Sequence, residues 1–260
     1  MMTIQKYVRA QSLSEAYELN QNKRNAIVGG MLWLRVCNAR IDTAIDLSLL
    51  GLDEITEDDD NFYIGAMVTL RALQKHAALN EYCNGIVSDA VKDIVGVQFR
   101  NLATVGGSIF GRYGFSDVLT AFLAMDARVE LYNRGEVTLK EFSDMKKDRD
   151  ILVRLIVPKG NKDFSYLALR NSRTDFPVLC CAVSQVDGRY RAVVGARPGR
   201  AVVIEDTGIL SGELSEDKIE QFAEYVADNT AVSGNIRGSA EYRKHLAKIL
   251  TRRNLECRLV

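Results

Sequence analysis

Residues 101–117, NLATVGGSIFGRYGFSD, decide how the chain reads. A short β-branched approach runs into paired glycines. Asp117 then stands at the head of DVLTAFLAM, whose Val118, Leu119, Phe122 and Leu123 share one helical face. The same device occurs earlier, since AIVGG at 26–30 matches ATVGG at 103–107. Glycine tolerates positive φ and carries no Cβ, so backbone N–H groups can approach a ligand where a side chain would clash. One Gly-Gly pair alone reads as a tight turn, whereas two such loops suit a grip on a diphosphate from both sides. Neither loop has the G-x-G-x-x-G or G-x-x-x-x-G-K-S/T spacing, so a Rossmann site and a Walker loop are poorly supported.

Composition narrows the classes of partner. At 260 residues the chain can hold two or three compact units. Lys plus Arg and Asp plus Glu both number 34, so no net positive field draws in nucleic acid or an anionic membrane surface. The stretch MMTIQKYVRAQSLSEAYELN lacks the apolar core of a signal peptide, and no segment approaches the roughly 20 apolar residues that cross a bilayer. A soluble, cytoplasmic protein is expected.

Five scattered cysteines, Cys37, Cys83, Cys180, Cys181 and Cys257, have no C-x-x-C spacing and fit reduced thiols. They offer neither the clustered thiolates of an iron–sulfur centre nor a four-ligand zinc site, so no metal ligands are expected on this chain. Cys180 and Cys181 lie in FPVLCCAVSQV, which reads as a buried strand with the two thiols on opposite faces. His76 and His245 stand among charged neighbours and are expected to be solvated. Nothing local supports a Ser-His-Asp or Cys-His arrangement.

Along the chain three zones emerge, 1–55, 56–160 and 161–260. In the first, Ser12 and Glu15 have capping-box spacing and open a helix through Leu19. Ala26–Val28 reads as a short strand, MLWLRVCNA as a helix and IDTAIDLSLL as extended, a βαβ-like unit. The acidic run EITEDDDN reads as a solvated connection. The second zone offers a strand in FYIGAMV, helices in TLRALQKHAAL and GIVSDAVKDIV, and strands in ARVELY, EVTLKEF and ILVRLIVP. In the third, FSYLALR, VLCCAVSQV and YRAVVGA read as strands, with Asp187-Gly188 suited to a type I′ hairpin. SEDKIEQFAEYVADN and SAEYRKHLAKILTRR read as amphipathic helices, the last with Tyr242, Leu246, Ile249 and Leu250 on one face.

The succession RNAIVGGMLWL, AIDLSLLGLDEI, FYIGAMVTLRAL, VQFRNLATVGGSI, SDVLTAFLAMDARVEL and NIRGSAEYRKHLAKIL resembles the FAD-binding medium subunit of molybdenum hydroxylases, the xanthine dehydrogenase family. The likeness runs in order over nearly the whole chain, and the R-N-x-A-T-x-G-G element is its specific part. It implies an α+β fold: a two-subdomain FAD-binding fold of the vanillyl-alcohol-oxidase type, with FAD between the subdomains, followed by a small sheet-plus-helices C-terminal domain. It also implies an electron relay. An iron–sulfur subunit would deliver electrons from a molybdopterin subunit, and the flavin of this chain would pass them to NAD or another acceptor.

Carried over residue by residue, Ile27, Val28, Gly29, Gly30, Met31, Leu32, Trp33 and Leu34 resemble the first pyrophosphate loop. Ala103, Thr104, Val105, Gly106, Gly107 and Ser108 resemble the second. Asp117 matches the acid expected to hydrogen-bond the ribityl or ribose hydroxyls, and Leu152 an apolar residue near the flavin that reads equally well as core. Neither glycine loop contains His or Cys, so FAD is expected to be non-covalent. The chain departs from the family pattern in Ser108, where Asn is usual, in FGRYGFS at 110–116, and in lacking a lysine near Leu167. A flavin-free assembly subunit that keeps the fold is therefore the alternative reading. The aromatics around Phe110 to Phe115 and the C-terminal helices are candidate docking surfaces, and no catalytic acid, base or nucleophile is expected.

Overall fold

A computed structural model describes residues 2–257. It begins with β1 (Thr3–Arg9), α1 (Leu13–Asn20), β2 (Ala26–Val28), β3 (Arg40–Asp46), β4 (Ile55–Glu57) and β5 (Asn61–Gly65). Helices α2 (Leu70–Lys75), α3 (Ala77–Tyr82), α4 (Ile86–Val91), α5 (Val97–Arg100), α6 (Val105–Phe110) and α7 (Asp117–Ala124) follow. Next come β6 (Arg128–Leu131), β7 (Gly135–Thr138), α8 (Leu139–Asp144) and β8 (Leu152–Pro158). The chain ends in β9 (Lys162–Arg170), β10 (Pro177–Val186), β11 (Arg189–Gly195), β12 (Val202–Glu205), α9 (Glu216–Asn229) and α10 (Ala240–Glu256). Two compact units share these elements. One comprises the described residues up to Leu73 with Val97–Gly111 and Ala127–Pro158; the other comprises Gln74–Gly96, Arg112–Asp126 and the chain from Lys159 onward.

The first unit contains two sheets. Three parallel strands lie in the order β1-β3-β2, and the middle strand buries Ile41, Ala44 and Ile45. Helix α1 makes the crossover from β1 to β2. Ser12 caps it by accepting from the Glu15 amide at 3.1 Å, while the Glu15 carboxylate reaches the amide of Gln11 rather than that of Ser12. The helix expected over MLWLRVCNA is replaced by a 3-10 turn at Leu34–Val36. Met31 sits at φ 58, Trp33 supplies no side-chain cap, and Trp33, Arg35, Val36 and Cys37 are all exposed, so no apolar face exists to hold a helix.

The second sheet of this unit is antiparallel, in the order β4-β5-β8-β6-β7. Its central strand, β8, buries Leu152, Val153, Leu155, Ile156 and Val157, as a strand covered on both faces must. The strand expected over EVTLKEF stops at Thr138. There a capping box takes over: Thr138 Oγ1 accepts from the Glu141 amide, and the Glu141 carboxylate accepts from the Thr138 amide, both at 3.1 Å. Local capping chemistry outweighs the β-branched composition and starts α8.

In the second unit an antiparallel sheet in the order β12-β11-β10-β9 is covered on one face by α7 and on the other by α10. Strand β10 is therefore buried on both sides. The Cys180 thiol lies 3.6 Å from Thr120 Oγ1 on α7, and that of Cys181 lies 3.4 Å from Thr251 Oγ1 on α10, which places the two thiols on opposite faces as the strand period requires. Asp187 and Gly188 join β10 to β11 with φ of 49 and 79, the left-handed pair of a type I′ turn. The expected helix over TLRALQKHAAL is broken at His76, whose Nδ1 accepts from the Leu79 amide and caps α3. On α10, Leu246 and Leu250 are buried as expected, but Tyr242 is 43% exposed. Arg243 occupies the core-facing position instead, donating to the carbonyls of Val178, Ser233 and Gly238 and to Asn235 Oδ1. Among the described residues no helix is long and apolar enough to cross a membrane.

Burial pushes the thiols of Cys180 and Cys181 up to about 12 and that of Cys83 upward too, whereas Cys37 and Cys257 are exposed. Iodoacetamide at pH 8 should therefore label Cys37 and Cys257 in the native protein and all five cysteines after denaturation, as read by peptide mass spectrometry. Rapid native labelling of Cys180 or Cys181 would contradict the sheet assignment.

Candidate functional site

A cavity of about 290 Å³ opens within the first unit. It brings together Ile27, Gly29, Thr104, Gly106, Gly107 and Leu152, six of the residues singled out in the sequence. The others lie elsewhere. Val28 and Val105 are core, 3% and 0% exposed, and Ala103 is buried behind the loop. Met31 and Leu34 pack against Val28, Ile41 and Ala44, and Trp33 is exposed. The Ser108 hydroxyl is occupied, donating to the Thr104 carbonyl at 2.9 Å.

The glycines of the two loops lie hard against neighbouring chain. A Cβ on Gly29 would fall 2.6 Å from Thr104 Oγ1, one on Gly30 would fall 1.8 Å from the Leu102 carbonyl oxygen, and one on Gly106 would fall 2.7 Å from the Ala66 carbonyl oxygen. These three positions lack side chains because protein backbone or Thr104 fills the space. Gly107 differs: a Cβ there would approach only Thr104 Oγ1, at 3.2 Å, and otherwise meet open space. None of the four is in the left-handed region, and it is Met31 that takes the positive φ. The conformational freedom expected of the glycines is thus unused, and close approach is what the loops require.

The amide donors of the second loop are also engaged. Val105 N donates to the Val68 carbonyl at 2.9 Å, Gly106 N to that of Ala66 at 2.7 Å and Ser108 N to that of Thr104 at 3.1 Å. Gly107 N donates to Thr104 Oγ1 at 3.1 Å, so the threonine caps α6 while filling the gap beside Gly29. What the second loop offers a ligand is a side-chain-free surface.

Charge at the cavity comes from residues that carry no motif, Asp148, Arg149 and Asp150. Asp150 is buried and accepts from the amides of Asn133, Arg134 and Ile151. Asp148 pairs with Arg134 at 2.9 Å. Arg149 donates through Nε to the Asn20 carbonyl and through Nη2 to Asn20 Oδ1 and the Asn25 carbonyl. Partial burial lowers its guanidinium from the ordinary arginine value. The position of these residues just before Leu152 was the one available signal for them in the sequence. Neither His nor Cys is among the described residues that line the cavity.

Asp117 belongs to the second unit, at the start of α7. Its carboxylate pairs with Arg170 at 2.6 Å and accepts a hydrogen bond from the Tyr166 hydroxyl, with both ion-pair side chains under 10% exposed (8% and 6%). Burial pushes this carboxyl above the ordinary aspartate range, while Arg170 and Tyr166 pull it back. The aromatics of 110–116 divide between the units. Phe110 packs on Phe142 in the first, whereas Tyr113 stacks on Phe115 and Phe115 packs tilted against Phe176 in the second.

A two-loop cavity on a three-stranded parallel and five-stranded antiparallel pair of sheets, followed by a sheet with helices, defines a class of flavoprotein subunit. Residues 2–160 match the family model described as the FAD binding domain in molybdopterin dehydrogenase, and residues 164–257 match that of the CO dehydrogenase flavoprotein C-terminal domain. The chain belongs to this family of FAD-binding oxidoreductase subunits. It is 26% identical to the nicotine 6-hydroxylase medium subunit of Paenarthrobacter nicotinovorans, over 96% of this chain and 95% of that one. It is 25% identical to the xanthine dehydrogenase FAD-binding subunit of Escherichia coli O157:H7, over 97% and 95%. A chain of carbon monoxide dehydrogenase from Hydrogenophaga pseudoflava shares the fold with a TM-score of 0.84 at 20% identity, covering 96% of each chain.

The cavity fits part of FAD. The face at Gly107 is open apart from Thr104 Oγ1, and the volume suits a diphosphate with an adjoining sugar. Two substitutions separate packing from binding. Gly30→Ala should cost roughly 2 kcal/mol or more through backbone overlap at Leu102. Gly107→Ala, within helix α6, should leave stability within about 1 kcal/mol of the parent and weaken FAD binding. Thermal melts and flavin titration measure both; a Gly107→Ala protein that binds FAD like the parent would show that this face is not used.

Proposed function

We propose that this chain is the FAD-carrying electron-transfer subunit of a molybdenum hydroxylase, taking electrons from an iron–sulfur subunit and passing them to NAD or another acceptor. The observation that carries this reading is the convergence of both glycine loops and Leu152 on one cavity. Among the described residues no group of three or more His, Cys, Asp or Glu is placed to hold a metal ion.

Flavin chemistry joins one-electron donors to two-electron acceptors, and FAD would supply that here. The residues of this chain have simpler tasks. Thr104 fixes the relative position of the two loops, and Gly29, Gly106 and Gly107 keep the wall free of side chains. Leu152 and Ile27 supply apolar surface. Ile27, Gly29, Thr104, Gly106, Gly107 and Leu152 are the proposed FAD contacts; the Asp117 carboxylate, in the second unit, accepts from Arg170 and Tyr166. With no His or Cys on the wall, the FAD would be held non-covalently.

The purified chain should show flavin absorbance near one equivalent after incubation with FAD, and acid precipitation should release the colour into the supernatant. Mixed with an iron–sulfur subunit and a molybdopterin subunit, it should co-elute with them and support substrate-dependent reduction of an acceptor. A colourless chain that refuses FAD would favour the assembly role instead, as would a complex whose turnover is unchanged when this subunit is omitted.

A further inference from the structure

We propose that Arg149 supplies the positive charge that pairs with the diphosphate of FAD in the glycine-loop cavity, an inference that rests on the FAD-binding reading above. Arg149 is the one cationic side chain among the described residues that line this cavity, beside Gly29, Thr104, Gly106 and Gly107. Every hydrogen bond of its guanidinium goes to a neutral oxygen, the Asn20 and Asn25 carbonyls and Asn20 Oδ1. The two acids that flank it in sequence serve other groups. Asp148 pairs with Arg134, and Asp150 accepts the amides of Asn133, Arg134 and Ile151. A partly buried guanidinium without a carboxylate partner is costly unless a ligand brings the anion.

The occupied amides make the same point from the other wall. With the amides of residues 105 to 108 bonded within the protein, the second loop brings no free N–H group to a diphosphate, and Arg149 is the one cationic side chain among the described residues of the lining. Arginine suits the task because its planar fork can give bonds to neighbouring phosphate oxygens. Its neutral partners also hold it in place. Asn20 Nδ2 donates back to the Arg149 carbonyl at 2.8 Å and Gln21 Nε2 does so at 3.2 Å, so its backbone is held as well as its guanidinium. Preorganisation of that kind lowers the cost of binding.

The same bonds make Arg149 a structural staple between the end of α1 and the 148–152 segment, so the test has to separate staple from charge. Asn20→Asp does so, because it retains an oxygen acceptor for Nη2 while placing a carboxylate against the guanidinium. FAD affinity of the apo-protein is read from flavin fluorescence across a range of ionic strength, with thermal melts in parallel. The parent should bind more weakly as salt rises. Arg149→Gln should raise Kd roughly 10- to 100-fold at low salt and flatten the salt dependence. Arg149→Lys should recover part of the loss. Asn20→Asp gives up the Nδ2 donor to the Arg149 carbonyl and should melt below the parent while staying folded, and it should bind FAD at least several-fold more weakly with a flattened salt dependence; if Arg149→Gln fails to fold, the salt dependence of this variant decides.

Parent-like affinity and salt dependence in Asn20→Asp overturn the proposal while leaving the FAD-binding reading intact. Equal losses in the Gln and Lys variants with an unchanged salt slope also overturn it, because they mark a staple. A shifted flavin midpoint potential at unchanged affinity would place the charge beside the flavin ring instead. A parent chain that binds no FAD overturns both readings.

Discussion

The first unit depends on one side chain, Thr104. Its hydroxyl accepts the Gly107 amide and so starts α6, and the same oxygen occupies the space that a side chain on Gly29 would need. Next to it the Leu102 carbonyl lies against Gly30, and the Ala66 carbonyl both accepts the Gly106 amide and crowds its Cα. The ends of β2 and β5 and the start of α6 therefore meet backbone to backbone. Because β2 belongs to the parallel sheet and β5 to the antiparallel one, this contact ties the two sheets of the unit and builds the cavity wall in one step.

That economy has an electrostatic consequence. A second loop whose amides bond to the protein is rigid, yet it contributes less to holding an anion than a loop of free N–H groups. Affinity then shifts to shape, to apolar contact and to whatever cation borders the cavity. The second unit shows the contrasting arrangement, where Asp117, Arg170 and Tyr166 neutralise one another between α7 and β9. Buried pairs of this sort contribute little net stability and lose much when one partner is removed. Beside that pair, a Cβ on Gly195 would overlap Thr120 Oγ1 at 2.2 Å and the Cys180 thiol at 2.8 Å, so the α7 contact with the sheet is also made by absence of a side chain.

Much of this was legible in the residues. The two Gly-Gly loops, the strand that buries both Cys180 and Cys181, the Asp187-Gly188 hairpin and the terminal amphipathic helices follow from local chemistry and period. Strand β1 was hidden because its side chains are mostly exposed and show no alternation. The apolar residues of 31–39 suggest a helix face, but Trp33, Val36 and Cys37 stay exposed and leave nothing to hold one. His76 and Thr138 act as caps, and each overrides the periodicity of the segment around it. In the site, the glycines could be found but not their reason, since a clash with Leu102 or Ala66 arises only from tertiary approach. For Arg149 the sequence offers only its place just before Leu152, because its partners on Asn20 and Asn25 come from a distant segment.

Hydrogen exchange of the chain with and without saturating FAD tests most directly the claim that the interlocked loops are the cofactor's cradle. Peptides covering 25–31, 102–111 and 147–152 should all gain protection on binding, with the exposed turn at 58–60 unchanged. Saturable FAD binding that leaves all three segments exchanging at their original rates would contradict the account.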